Sequence, residues 1–337
     1  MGESGMEAFG RLFSDAQRRE RDERNGMTRI CVQIGHCSQA VGAGEVARVL
    51  STSLPKSAYL VVTGCDGACF SAPKILVTPP EGGVTARFTR VDTELAKDVA
   101  GHLASIQGED ADEEADFFAL QRRVALDMCG EIDSQDLDDY IMIGGYRALS
   151  QALSTTPERV TEEVKASGLR GRGGAYFPSA LKWESARGVS NEPRYLVVNS
   201  EEGEPGIFKD RHLMEGVPHR ILEGAIIAAY ASGVTKAYVY VNAEAVLSAE
   251  RMQRAVDQAS AVGLIGNDIL GSGYSLSLEL RRGAGGYVSG EEPTILNAME
   301  GYRREPRLRP PFPTISGLLG GPTVINNAET LAAVPFI

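Results

Sequence analysis

Between residues 168 and 330 the chain alternates short apolar segments with longer helical ones, and this alternation constrains the fold more than any other feature. Short runs with apolar residues in alternation or in succession predict strands at Tyr195–Asn199, Ala237–Val241 and Leu276–Leu280. Helices are predicted between them at His219–Ala231 and Ala243–Val262. Strands separated by helices form βαβ units, so we expect a largely parallel sheet.

A second pattern of strands and helices occupies residues 28–107. Its predicted elements are Ile30–Ile34, Glu45–Leu54, Tyr59–Thr63, Lys74–Thr78, Thr85–Phe88 and Asp92–Ser105. Their order is β-α-β-β-β-α, which fits a small thioredoxin-like α/β domain.

Charge runs mark the predicted domain boundaries. Residues 1–27 are rich in Arg, Glu and Asp, and they predict a solvated helix or a disordered arm. Residues 108–116 include six acidic residues, and they predict a solvated linker. We therefore expect a charged arm, a thioredoxin-like domain over 28–107, a linker, and an α/β domain over 117–337.

The second domain is predicted to begin with helices. Helical patterns cover Phe117–Cys129 and Asp136–Leu153. Thr156 and Pro157 then predict an N-cap and the first residue of a helix that runs to Ser167.

The charge of the chain excludes one class of partner. Lys and Arg number 34 against 45 Asp and Glu, a formal charge of −11, whereas nucleic-acid binding needs a basic surface. No run of 18 apolar residues predicts a spanning helix, and no apolar segment typical of a signal peptide begins the chain. We expect a cytoplasmic location without membrane insertion, with peripheral attachment to a membrane complex as an alternative.

Four of the five cysteines lie within a window of 39 residues. Cys65 and Cys69 flank a turn after a predicted strand, and Cys37 follows the end of the first strand. Thiolates on loops at one end of a sheet favour an iron–sulfur cluster, with a zinc site or scattered buried thiols as alternatives. Cys31 is the weakest candidate because strand alternation turns it toward the core, and Cys129 is predicted to be a core thiol.

Three loops are rich in glycine. In the densest, Gly168–Ala175, bare backbone N–H groups suit a phosphate, although a flexible surface loop is the alternative. The acidic loops Asn199–Gly206 and Gly283–Glu292 begin at or just after the ends of predicted strands. Ligands of open α/β sheets bind beyond the carboxyl ends of the strands, so we expect the three loops to converge on one crevice.

These segments closely resemble the flavin-bearing subunit of respiratory complex I and related diaphorase subunits of NAD-dependent formate dehydrogenases and NAD-linked hydrogenases. The resemblance runs from about Phe117 to Pro335 and depends on five motifs in order. They are Gly171–Pro178 with Lys182-Trp183, Asn199–Gly206 with Phe208–Arg211, Gly283–Glu292, Pro310–Pro313, and Asn326–Thr330. The cysteine window resembles the thioredoxin-like [2Fe–2S] domain that precedes the flavin domain in some relatives.

The resemblance implies an NADH dehydrogenase (diaphorase) module that transfers hydride between NAD(H) and FMN and passes single electrons to iron–sulfur clusters. The implied FMN contacts are Gly171, Gly173, Lys182, Asn199, Glu201, Glu202, Tyr287, Gly290, Glu291, Asn326, Asn327 and Thr330. The implied NAD(H) contacts are Gly174, Ala175, Phe177, Glu204, Glu292 and Phe312. The implied ligands of a [2Fe–2S] cluster are Cys37, Cys65, Cys69 and, more weakly, Cys31. No acid–base residue is expected, since Glu204 and its neighbours only position NADH.

The implied partners are other iron–sulfur and catalytic subunits of a redox complex. This chain departs from the family pattern at Tyr176 for Gly, Glu201 for Asp, Ser289 for Cys, Pro293 for Thr and Arg309 for Lys. Family members continue beyond the last motif into a cysteine-rich [4Fe–4S] region, and this sequence has no cysteine after Cys129. We expect either a fragment or a partner that supplies the next electron acceptor.

Two other classes of function remain as alternatives. One is a degenerate electron-transfer or assembly subunit that keeps the fold without flavin chemistry. The intact glycine loop, Lys182 and Glu202 argue against it. The other is an interaction module in which the cysteine window binds zinc.

Overall fold

A computed structural model of the protein describes residues 5–80, 85–106 and 114–337. Its contacts divide the chain into two units. The N-terminal unit comprises the described residues of Ser14–Met142 together with Glu215–Val217. The C-terminal unit comprises the described residues up to Phe13, Ile143–Met214 and Pro218–Ile337. Most of the predicted linker, residues 108–113, lies outside the described residues, so the predicted domain boundaries stay predictions.

Among the described residues of the first half of the chain, four strands form one mixed sheet. The strands are β1 (Thr28–Gln33), β2 (Ala58–Thr63), β3 (Ile75–Thr78) and β4 (Ala86–Phe88). The helices are α1 (Gly5–Arg24), α2 (His36–Ala40), α3 (Ala43–Ser53), α4 (Thr93–Gly101), α5 (Ala115–Ala119) and α6 (Leu137–Met142). The sheet order is β2-β1-β3-β4, with β1 parallel to β2 and antiparallel to β3. The predicted order of elements is confirmed, with α2 as an additional short helix.

The charged N-terminal segment is helical over residues 5–24, one of the two predicted alternatives. Arg18, Arg19 and Arg24 form ion pairs within the N-terminal unit. Arg19 Nη2 lies 2.7 Å from Asp138, and Arg24 Nη2 lies 2.9 Å from Asp136. These ion pairs explain how a helix with a largely polar surface is held in place.

Two predicted helices before the second sheet are corrected by the structure. The helix predicted over Phe117–Cys129 is wrong beyond α5, because Leu120 is 98% exposed and gives a longer helix no face to bury. The helix predicted over Asp136–Leu153 is interrupted between α6 and the next helix. Gly144 and Tyr146 have φ angles of 93° and 64° there, which an α-helix cannot contain.

The second half of the chain contains the parallel sheet. Its strands are β5 (Tyr195–Ser200), β6 (Lys236–Val241), β7 (Ser277–Arg282) and β8 (Thr323–Asn327). Its helices are α7 (Arg147–Leu153), α8 (Pro157–Ala166), α9 (Ser179–Arg187), α10 (Lys209–Gly216), α11 (Pro218–Ser232), α12 (Val246–Ala261), α13 (Glu292–Met299) and α14 (Ala328–Ala332). Strands β5 to β7 and helices α8, α11 and α12 confirm predicted elements. Strand β8 and helices α9, α10, α13 and α14 were not predicted.

Local signals explain part of this architecture. The Thr156 side chain accepts the N–H of Arg159 and caps α8, as predicted. Helix α11 is buried on nearly all sides and packs on α14. A Cβ on Gly224 of α11 would lie 1.9 Å from the carbonyl oxygen of Leu331, so only glycine allows this contact.

The strand order creates a crevice. All four strands are parallel, in the order β7-β6-β5-β8. The chain adds β6 and β7 on one side of β5 and then returns to place β8 on the other side of β5. Asn199 at the end of β5 pairs in register with Asn327 at the end of β8. Such a reversal of strand order is where open α/β sheets bind ligands.

Candidate flavin and dinucleotide site

A cavity of about 720 Å³ lies at the carboxyl ends of β5 and β8. This volume is within the range of pockets for small organic ligands, about 300–1,000 Å³. The predicted cofactor residues that line it are Gly171, Gly173, Ala175, Phe177, Lys182, Asn199, Gly290, Glu291, Glu292, Phe312, Asn326 and Asn327. The structure therefore brings residues from all five sequence motifs to one cavity.

A backbone hydrogen bond closes the glycine loop between α8 and α9. The N–H of Gly171 donates to the carbonyl of Phe177 at 2.8 Å. Gly174 has a φ of 104°, which favours glycine, and Tyr176 adopts a left-handed φ of 55°. The guanidinium of Arg170 lies 5.1 Å from the centre of the Tyr176 ring. These contacts hold the loop so that its two ends remain beside the cavity.

Close backbone contacts join the loops around the crevice. A Cβ on Gly173 would lie 3.2 Å from Cβ of Asn327, and a Cβ on Gly290 would lie 2.9 Å from the carbonyl oxygen of Glu201. A Cβ on Gly203 would lie 2.8 Å from the carbonyl oxygen of Gly286. Glycine at these positions lets the backbones approach each other and leaves space for a ligand.

Lys182 is the basic residue of α9 that lines the cavity. Its Nζ contacts the carboxylate of Glu292 and donates to the carbonyl of Ile325 at 2.9 Å. The next residue, Trp183, is fully buried, and its Nε1 donates to Oδ1 of Asn326 at 2.9 Å. Helix α9 is therefore anchored to β8 beside the cavity.

The predicted asparagine contacts are oriented by hydrogen bonds. Asn199 Nδ2 donates to the carbonyl of Gly290 at 2.8 Å. Asn327 Oδ1 accepts from Lys209 Nζ at 3.0 Å, and Asn327 Nδ2 contacts Asp210. Burial raises the pKa of Asp210 to about 6, although the charge of Lys209 opposes this rise.

Two predicted flavin contacts are helix caps. Both carboxylate oxygens of Glu202 accept backbone N–H groups at the start of α10, at 2.9 Å from Asp210 and 3.0 Å from Arg211. Glu291 caps α13 by accepting the N–H of Thr294 at 3.1 Å, and it also contacts Arg309 at 2.6 Å. Anionic side chains at helix N-termini are stabilising, which gives both residues a structural role that their motif did not indicate.

Glu201 is buried beside the crevice without lining the cavity. Its Oε1 accepts Asn242 Nδ2 at 2.9 Å, while its Oε2 has no hydrogen-bond partner among the described residues. Burial raises the pKa of Glu201 to about 7, although Arg304 opposes this rise. A buried carboxyl oxygen without a partner is costly unless a ligand or water satisfies it.

The remaining predicted contacts lie outside the cavity lining. They are Gly174, Glu204, Tyr287, Thr330 and the two acids Glu201 and Glu202. Glu204 and Tyr287 are exposed, and the Thr330 hydroxyl accepts the N–H of Arg172 at 2.8 Å. Lining residues that were not predicted are Leu181, Ser185, Arg309, Pro313, Thr314, Ile315, Thr323 and Ile325. Strand β8, once recognised, would have indicated Thr323 and Ile325.

The cysteine window lies in the N-terminal unit. Cys37 and Cys69 are exposed, and Cys65 is half-buried after the end of β2. Cys31 lies within β1, packed in the core against Val61 and Leu76. Burial raises the pKa of Cys31 to about 11 and that of Cys65 to about 12.

The described residues contain no group of three or more His, Cys, Asp or Glu side chains that could hold a metal ion. The cysteines in this arrangement therefore do not fit a formed [2Fe–2S] site.

A buried ion-pair cluster supports the Cys65–Cys69 loop. Lys74 is 4% exposed and lies 2.6 Å from Asp66 and 2.5 Å from Glu114. Asp66 also accepts Gln33 Nε2 at 3.0 Å. Burial alone would raise the pKa of Asp66, but Lys74 and these hydrogen bonds outweigh it and lower the pKa.

No helix within the described ranges is both long and apolar enough to cross a lipid bilayer. A parallel sheet with a glycine-lined cavity at its strand reversal defines an α/β domain of the nucleotide-cofactor-binding class. The family model of the Nuo51 FMN-binding domain matches residues 164–336, which include the whole cavity. The chain belongs to this family, which confirms the resemblance of its five motifs to the flavin-bearing subunit. The resemblance of the cysteine window to a [2Fe–2S] domain stays a prediction.

Individual relatives support the same family. An NADH-quinone oxidoreductase component of Rhizobium meliloti (strain 1021) is 50% identical over 206 residues, covering 61% of this chain and 49% of the relative. The NADP-reducing hydrogenase subunit HndC of Solidesulfovibrio fructosivorans is 46% identical over 217 residues, covering 64% of this chain and 44% of the relative. The chain thus spans about half the length of the curated relatives it matches.

A solved structure resembles nearly the whole chain. The crystal structure of an NAD⁺-reducing [NiFe]-hydrogenase in the H₂-reduced state matches with a TM-score of 0.55 and 27% identity. The match covers 98% of this chain and 58% of that one. The predicted α/β fold class is therefore confirmed.

Proposed function

We propose that this chain is the NADH dehydrogenase (diaphorase) module of a multisubunit oxidoreductase, transferring hydride between NAD(H) and FMN. The observation that carries the proposal is the glycine-lined cavity at the strand reversal, which coincides with the match to the FMN-binding family. The names of its relatives, subunits of NADH-quinone oxidoreductases and of an NADP-reducing hydrogenase, support partners in a larger redox complex.

The cavity suits a flavin nucleotide. Gly171 and Gly173 would let the loop backbone approach the cofactor, and Lys182 would place a positive charge near its phosphate. Asn199 and Asn326, whose amides are already oriented, would contact it with little further loss of side-chain entropy. When bound, FMN accepts a hydride and returns the electrons one at a time; the residues around it bind, orient and exclude water.

The dinucleotide would bind beside the flavin. Phe177 and Phe312 both line the cavity and are about half exposed, so their rings are available for stacking on a base. Ala175, the last residue of the glycine loop, also lines the cavity, and its side chain is small. Glu292 lines the cavity and Glu204 is exposed on the neighbouring acidic loop, and these carboxylates suit hydroxyl or amide donors of the dinucleotide.

The proposal is tested by adding FMN to the purified chain and following the quenching of flavin fluorescence. We expect stoichiometric binding, followed by NADH-dependent reduction of ferricyanide by the loaded protein. Folded protein that binds neither FMN nor NADH would overturn the proposal. Binding of FMN without NADH oxidation would favour the degenerate electron-transfer subunit.

A [2Fe–2S] cluster at Cys37, Cys65 and Cys69, with Cys31 as the weaker fourth ligand, stays a prediction. No step of the proposed reaction depends on it, because these cysteines do not form a metal-binding group in the described arrangement. Iron, sulfide and zinc analysis of protein prepared without oxygen tests the prediction. Stoichiometric zinc without sulfide would favour the zinc-binding alternative. The cytoplasmic location and the domain boundaries stay predictions.

A further inference from the structure

Two acidic residues in succession line the cavity, and they are held very differently. The carboxylate of Glu291 is tied to its own helix by the N–H and the hydroxyl of Thr294, at 3.1 and 3.2 Å, and to Arg309 at 2.6 Å. The carboxylate of Glu292 contacts Lys182. Moving Glu291 would uncap α13, whereas moving Glu292 requires the loss of one ion pair.

Lys182 is the fixed partner of this pair. The buried indole of Trp183 ties the same turn of α9 to Asn326, and Lys182 Nζ also donates to the carbonyl of Ile325 at 2.9 Å. Its ammonium therefore stays at the cavity wall whether or not Glu292 is present. The side chains of Lys182 and Glu292 are 19% and 28% exposed, so the pair is only partly screened by water.

We propose that Glu292 occupies the place of a ligand's anionic group on Lys182, and that the phosphate of the flavin releases Glu292 for the dinucleotide. One ammonium at the cavity wall is shared by two anions, so the incoming phosphate competes with the carboxylate. The displaced carboxylate regains its hydrogen-bonding capacity and accepts donors of the second ligand. The phosphate thereby couples flavin loading to dinucleotide affinity. This inference depends on the proposed flavin site.

Removing the negative charge of Glu292 from the cavity lining should tighten the binding of FMN. Glu292→Gln removes the competing carboxylate, and we expect it to bind FMN about fivefold more tightly than wild type. Riboflavin lacks the phosphate, and its affinity should be unchanged. Lys182→Met should weaken FMN binding, and adding Glu292→Gln to it should then have a smaller effect than in wild type, which a double-mutant cycle measures as the coupling between the two residues.

The matched control is Glu184→Gln. Glu184 lies on α9, the same helix as Lys182, and pairs with Lys165 at 2.8 Å, but it does not line the cavity. It carries the same change of charge, and we expect it to alter neither affinity. Equal binding of FMN by Glu292→Gln and wild type, or an equal gain for FMN and riboflavin, would overturn the inference. Failure of wild type to bind either flavin would overturn the proposed function instead.

The coupling has a second readout without turnover. Wild-type protein loaded with FMN should bind NAD⁺ several times more tightly than protein loaded with riboflavin, because only FMN displaces Glu292. In Glu292→Gln this difference should disappear, since coupling between two ligands is reciprocal and passes through that carboxylate. Isothermal titration of NAD⁺ into each loaded protein measures it. A difference that persists in the variant would contradict the proposed role of Glu292.

Discussion

The two sheets of this protein prepare their loops in different ways. At the carboxyl ends of β5 and β8, loop backbones surround a cavity, and close approaches at Gly173 and Gly290 define its walls. After β1 and β2, the loops carry cysteines, yet the described residues hold no group ready to bind a metal. The loops after β5 and β8 already have the shape of a ligand site. The loops after β1 and β2 have the cysteines of a metal site but not their arrangement.

The difference follows from what each site is made of. The charged residues that line the cavity are already paired with one another, Lys182 with Glu292 and Glu291 with Arg309, so folding alone can complete it. A thiolate site needs cysteines to lose protons and to approach one another, which buried thiols resist until a metal is present. Cys31 is buried and Cys65 half-buried, whereas Cys37 and Cys69 are exposed. A cavity of paired side chains can therefore be preorganised by folding, whereas a thiolate site depends on its metal.

The largest expected effect tests the N-terminal unit. Lys74→Met leaves Asp66 and Glu114 buried without their partner, and we expect a loss of about 3–5 kcal/mol in the free energy of unfolding. Urea titration measures it. Lys97→Met, at an exposed position of α4, should stay within about 0.5 kcal/mol of wild type. A small effect at Lys74 would mean that the cysteine loop does not depend on this ion-pair cluster.

The next effect tests whether close backbone packing supports the fold of the unit that contains the cavity. Gly224→Ala forces α11 away from α14, and we expect a loss of about 2–3 kcal/mol in the free energy of unfolding. Gly10→Ala places its methyl group in open space on α1, and it should stabilise that helix by up to about 1 kcal/mol. If both variants unfold at the same urea concentration, close packing at Gly224 does not support the fold.

A smaller effect tests whether the cavity is independent of the cysteine region. Gly173→Ala must displace Asn327 by a few tenths of an ångström, and we expect FMN affinity to fall about tenfold, or about 1.4 kcal/mol. Cys37→Ser and Gly44→Ala lie in the other unit and should leave that affinity unchanged. Fluorescence titration of FMN compares the three variants. An equal loss in all three would show that the cavity depends on the cysteine region.

The smallest effect concerns Glu201, whose folded pKa of about 7 lies above its ordinary value of 4.5. The protonated form is therefore favoured by folding, and its contribution to stability is full below pH 4.5 and lost as the pH rises through 7. Asn242, Tyr240, Arg304 and Glu244 are the polar groups that surround this carboxyl.

Glu201→Gln should remove this part of the pH dependence, making the protein more stable relative to wild type at pH 8.5 than at pH 5.5, by on the order of 1 kcal/mol. Urea titrations at the two pH values measure the difference, and the exposed Glu250→Gln serves as the control. A difference that stays constant between the two pH values would place the titration elsewhere.

Local signals in the sequence predicted much of the C-terminal unit. Strands β5 and β6 are short runs of β-branched and aromatic residues, β7 begins as an alternation of leucine with polar residues, and the Thr156 cap is a signal contained within four residues. Strand β8 escaped prediction although Thr323, Val324 and Ile325 are all β-branched, because this run is very short and the last two residues of the strand belong to the Asn326–Thr330 motif. Pairing with distant β5 extends the strand into that motif, and no local periodicity indicates such pairing.

The site was predicted as a set of residues but not as a set of contacts. Motif matching brought Lys182 and Glu292 to one cavity, yet nothing in their separation along the chain indicates that they touch. In the same way, Glu202 resembles a ligand contact in sequence, and its hydrogen bonds at the start of α10 exist only once the loop has folded back. Partners far apart in sequence are properties of the fold.

The contact between Gly203 and Gly286 has a consequence for how this protein can change. The atom that would block a side chain at Gly203 is a carbonyl oxygen, which every amino acid possesses. No exchange of residue type at position 286 could therefore make room, so a harmful substitution at Gly203 should have no suppressor there. In a genetic selection, recovery would require reversion or a shift of a whole loop. These two acidic loops are thus expected to vary together in backbone path or not at all.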